Sequence, residues 1–203
     1  MQNNATDTTE ASAHRRDGIN RRALLAVAGA GIAGSVAAVD TARAAYRSGD
    51  QDLWFTCRSS ATGVDVTASW RWEDGYSGEP PEDVAIIYWN SDEWEYTEGC
   101  YRTSDGVEFQ RHHREDRVLG LEFRHDDTSA SRGTEYSASV RLQSDARDPI
   151  VYHDYTHTYG DTHIYEVNIG RDDDGRPTSE VRTSDDRKKW EKNRRLDASE
   201  CDH

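Results

Sequence analysis

Between residues 64 and 72 the chain alternates. Val64, Val66, Ala68, Trp70 and Trp72 share one parity, and Asp65, Thr67, Ser69 and Arg71 the other. A strand turns successive side chains to opposite faces, so this period of two builds a half-buried strand and excludes a helical stripe. Residues 136–142 alternate in the same way. Residues 84–89 form a nearly continuous apolar run bounded by turn residues, the pattern of a central strand buried on both faces. Residues 94–96 read as the return limb of a hairpin through 90–93, and residues 107–109 and 118–123 as further strands. Residues 150–159 and 164–169 read as the last pair, joined by a tight turn at Gly160-Asp161. About eight or nine short strands with turn signals every 8–12 residues specify an antiparallel β-sandwich.

The ends of the chain have a different texture. Arg21-Arg22-Ala23-Leu24-Leu25, preceded by Asn20 and followed by an alanine-rich run to Val39, resembles the core of a twin-arginine export signal. Ala42-Arg43-Ala44 supplies an A-x-A cleavage site. Gly29, Gly31 and Gly34 dilute the apolar run below what a membrane span of ~20 residues requires. The resemblance implies passage through the export translocon and an extracellular or cell-envelope location. Residues 1–44 are thus expected to be signal, 45–170 the sandwich and 171–203 a charged, partly disordered tail. Within the tail, Asp185 and Asp186 precede Arg187, Lys188, Lys189, Lys192, Arg194 and Arg195, an order that suits a helix dipole. Only Trp190 and Leu196 would hold such a helix to anything.

Charge narrows the class of partner. Of 39 acidic and 25 basic residues, four acids and five bases precede residue 45, leaving 35 acids against 20 bases. The only lysines are Lys188, Lys189 and Lys192. Dense carboxylates with arginine in place of lysine resemble proteins of extreme halophiles, haloarchaea among them, where strong salt screens self-repulsion. A surface this acidic excludes nucleic acid, whose binding rests on neutralising phosphates. The expected partner is an extracellular protein or a glycan.

Three cysteines follow the signal: Cys57, Cys100 and Cys201. In an oxidising compartment a pair forms a disulfide. Cys57 and Cys100 both lie in strand-like segments and are expected to pair, leaving Cys201 in the tail. No C-x-x-C spacing points to a cysteine zinc site.

Residues 66–70, 85–89 and 135–140 resemble strands B, C and F of fibronectin type III and related immunoglobulin-like domains, with a tryptophan late in B, an apolar C and a tyrosine-led F. The resemblance covers residues 52–170 at most, and implies a binding or structural role rather than chemistry.

One constellation suggests catalysis. His153-Asp154-Tyr155-Thr156-His157-Thr158-Tyr159-Gly160-Asp161-Thr162-His163 resembles the metzincin zinc-protease pattern H-E-x-x-H-x-x-G-x-x-H. The resemblance makes His153, His157 and His163 zinc ligands and Asp154 the base. Against it, the motif needs a helix where Tyr and Thr, flanked by β-branched residues, favour strand. Aspartate is also shorter than the family's glutamate, and the only methionine is Met1, so no Met-turn exists. With Gly160-Asp161 as a two-residue hairpin turn, His153 and His157 share a face that His163 leaves, whereas a longer loop reverses that parity. Elsewhere, His112-His113 reads as a charged strand end, Asp172-Asp173-Asp174-Gly175 as a polar turn lacking calcium-loop spacing, and Trp70, Trp72 and Trp89 as core. The expectation is therefore a non-enzymatic exported module with no catalytic residue or cofactor, and the alternative a small secreted zinc protease.

Overall fold

The computed structural model describes residues 51–72, 82–127, 133–146 and 149–201. The export signal and its Arg21-Arg22 pair lie outside these residues. The described chain is all-β and antiparallel: β1 (Gln51–Ser60), β2 (Gly63–Trp72), β3 (Asp83–Asn90), β4 (Glu95–Thr103), β5 (Val107–Glu115), β6 (Val118–His125), β7 (Glu135–Gln143), β8 (Ile150–Thr158), β9 (Ile164–Arg171), β10 (Pro177–Thr183) and β11 (Lys189–Asp197). A four-stranded sheet in the order β1-β2-β7-β4 packs on a five-stranded sheet in the order β11-β8-β3-β6-β5, and β9 and β10 form a separate ribbon.

Parity builds the core between the sheets. Val66, Ala68, Trp70 and Trp72 of β2 meet Ala85, Ile87 and Trp89 of β3, Leu121 and Phe123 of β6, and Val151 and Tyr155 of β8. The opposite parity of β3 is buried too. Val84, Ile86 and Tyr88, with Val118 of β6, pack on Val167, Ile169 and Val181 of the ribbon. The run at 84–89 is therefore covered on both faces, as its continuous apolarity predicts. Gly120 of β6 permits the close fit: a Cβ there would sit 3.1 Å from the Tyr88 Cβ and 3.5 Å from Ile169.

Several expectations are corrected. The turn after β3 leads into the opposite sheet, so β3 and β4 are not a hairpin. Strand β8 pairs with β3 and β11, whereas β9 pairs with β10 alone, so no hairpin closes at Gly160-Asp161. Strand β7, the segment that resembles strand F, pairs with β2, the segment that resembles strand B. In immunoglobulin-type sandwiches those two lie in opposite sheets. Strand β8 instead sits beside β3.

Over its described residues the tail is not a helix but is built into the fold as strand. Asp186–Lys188 make a single 3-10 turn, and Lys189–Asp197 pair with β8 as the edge strand β11. Trp190 packs edge-on to Trp72 and Leu196 is buried in the core. Their spacing of six residues suits a strand, on which both point inward. Beyond β11, Cys201 bonds to Cys57 of β1 across a Cα separation of 4.8 Å. The Cys57–Cys100 pairing expected from the sequence is not formed, and Cys100 is a free, half-buried thiol. Strand β4 carries Cys100 in the four-stranded sheet beside β7, while Cys201 meets β1 at the other edge.

Candidate functional site

The three motif histidines do not converge. His153 and His157 lie on β8, both fully buried, whereas His163 is exposed ahead of β9. Four residues of extended chain span ~13 Å, several times the separation of two ligands on one metal. The His153 Nδ1 is 3.0 Å from the Ile86 carbonyl, and burial pushes its pKa down to about 4. It is a neutral core histidine. Asp154, the would-be base, points to the ribbon side, where it accepts hydrogen bonds from Tyr88 Oη at 2.9 Å, Ser179 Oγ at 2.5 Å and Asn193 Nδ2 at 2.8 Å. Burial raises its carboxyl despite these donors. Its work is to fasten β9–β10 to the sheet.

His157 instead joins a polar cluster enclosed between the sheets. Asp83 opens β3 on the same parity as Ala85, Ile87 and Trp89, so its carboxylate enters the core. His157 Nδ1 lies 2.9 and 3.0 Å from its two oxygens. Tyr155 Oη donates to Oδ2 at 2.7 Å and the Thr158 amide to Oδ1 at 3.1 Å. Asp127, just past the end of β6, brings Oδ2 to 3.7 Å from His157 Nδ1. Asp83, Asp127 and His157 are 0%, 1% and 0% exposed. Burial first, then the charges of Asp83 and Asp126, push the Asp127 carboxyl up to about 9.

Aromatic rings wall the cluster. Trp72 and Trp190 each stand 5.0 Å from the His157 ring, and Trp70 is 5.2 Å from Tyr155. The Trp70 indole donates to His125 Nδ1 at 3.2 Å, and burial lowers the pKa of that imidazole. Two carboxylates and an imidazole buried together between the sheets can share a proton or hold a cation.

None of Asp83, Asp127, His125 or Tyr155 stands out in the sequence as a site residue. The available signal is parity. Asp83, His125 and His157 fall on the inward-facing positions of strands that are otherwise apolar there, and all at one end of the sheet. Reading it requires the register between β3, β6 and β8, in which Asp83 is directly opposite His125.

The remaining candidates are accounted for locally. His113 lies 2.7 Å from the buried Glu122, which Arg111 and Arg124 also contact at 3.0 and 2.7 Å. His112 packs against Tyr96 and Phe109. Asp172 Oδ1 accepts the amides of Asp174 and Arg176, so the acidic run is a self-capped turn with Gly175 at φ 78°. Trp70, Trp72 and Trp89 are fully buried.

The described chain is thus an all-β sandwich, and among the described residues Asp83, Asp127 and His157 are the one group of His, Cys, Asp or Glu side chains close enough together to hold a metal ion. The sequence matches no protein-family model and no curated protein.

Proposed function

We propose that this protein is an exported, salt-adapted binding module of the extracellular space or cell envelope, which takes a carboxylate-bearing partner on the outer face of its four-stranded sheet. The observation that carries this reading is a set of arginines on that face. Arg58, Asp65 and Arg141 form one rung across β1, β2 and β7. Arg141 grips Asp65 in two parallel 2.7 Å bonds. Among the described residues, neither Arg58 nor Arg102 makes an ion pair. All four line a groove of about 700 Å3. In a chain of net charge −14, two guanidiniums without an ion pair beside the Arg141–Asp65 pair, Arg102 near enough to help lower the Asp65 carboxyl, make a local positive site. Planar guanidinium forks match carboxylates bidentately, and keep that geometric match in salt that screens longer-range attraction.

The export signal resemblance supports the location, and the acidic surface supports the salt adaptation. The test is calorimetric titration of the purified protein with oligogalacturonate, polyglutamate and a neutral oligosaccharide in molar KCl. Saturable binding of an acidic probe, weakened tenfold or more by Arg58→Gln/Arg102→Gln, supports the reading. No binding of either acidic probe, or equal binding by the double variant, refutes it.

A further inference from the structure

We propose that Asp83, Asp127 and His157 form a structural site for one divalent transition-metal ion of the zinc or manganese class, sealed between the two sheets. One ligand atom from each residue lies within 4.8 Å of the others. Around a tetrahedral ion with ligand bonds of ~2.0–2.2 Å, ligand atoms stand about 3.4 Å apart. His157 Nδ1 is 2.9 Å from Asp83 and 3.7 Å from Asp127, values that straddle that separation.

Asp127 is the independent sign of a ligand. Its carboxylate is 1% exposed, and among the described residues neither oxygen has a hydrogen-bond partner in another residue. A buried carboxylate without donors requires a cation or a proton. A divalent ion would answer both demands together, neutralising Asp127 and relieving its repulsion with Asp83.

The surroundings suit a metal. Tyr155 and the Thr158 amide orient the Asp83 carboxylate from behind, as outer hydrogen bonds do for metal ligands. One imidazole and two carboxylates favour zinc or manganese over soft-metal ions. The three groups come from the ends of β3, β6 and β8, so the ion would clip the middle of the five-stranded sheet. Coordination through His157 Nδ1 places the ring proton on Nε2. Because the site is closed, the ion would enter during folding.

The experiment unfolds the full chain with chelator and refolds it with zinc or manganese. Bound metal is then measured by elemental analysis, and the ligand shell by X-ray absorption. Expected are about one equivalent in wild type and in His163→Ala, under about a tenth in Asp127→Asn, and a shell of N and O donors. Wild type retaining under a tenth of an equivalent overturns the proposal, as does full retention by Asp127→Asn. If Asp127→Asn does not fold, the wild-type spectrum decides: sulfur or several histidines in the shell overturns the assignment.

Discussion

Cys57 and Cys201 are bonded across 144 residues of sequence, so the end of β11 is fastened to β1 and the two edges of the sandwich are tied. Both sulfurs are buried, at 7% and 5% exposure.

A loop of that length makes the cross-link worth up to about 5 kcal/mol through the unfolded chain. Cys201→Ser is expected to lower the thermal midpoint by up to about 10–20 °C. Alkylation of denatured, unreduced protein should label Cys100 alone by peptide mapping. Label on Cys201 instead would show the Cys57–Cys100 pairing.

Gly120 sets the distance between sheet and ribbon. Gly120→Val is expected to cost about 2–3 kcal/mol by overpacking against Tyr88 and Ile169. Denaturant unfolding reads the loss, and amide exchange should speed first in β9 and β10. Unchanged ribbon protection would contradict the packing described.

Asp154 gathers three donors that lose their acceptor together in Asp154→Ala. A loss of about 2–4 kcal/mol is expected, from donors left unsatisfied in a partly buried site. Ribbon exchange should rise here too, while bound metal stays at the wild-type level. Loss of the metal would instead assign Asp154 a role at the histidines.

Glu122 gives a pH dependence whose sign is defined. Burial alone would raise its carboxyl, but the hydrogen bond from His113 and the charges of Arg124 and Arg111 together hold it below its ordinary value of 4.5. The unfolded chain therefore takes up this proton at higher pH than the folded one. The stabilisation is complete above about pH 5 and is lost as pH falls through the folded value. Glu122→Gln should be less stable than wild type at pH 7, with the gap narrowing as pH falls below 4.5. A gap independent of pH would refute the assignment.

The period-two alternation and the absence of a helical stripe specify a sandwich, and the run at 84–89 specifies a strand covered on both faces. These are readable because side-chain parity is a local property of extended backbone. By the same parity, His153 and His157 share a face and Trp70, Trp72 and Trp89 enter the core.

Tertiary structure alone decided what meets across the sheets. The chain passes from β3 into the opposite sheet, β11 adds itself to β8, and Cys201 rather than Cys100 reaches Cys57. The Asp83–Asp127–His157 cluster is equally invisible in one dimension, because its members come from three strands whose register brings them together. Alternation says which way each residue points. Which neighbour it finds depends on pairing between distant segments, and that is chosen by packing the whole core at once.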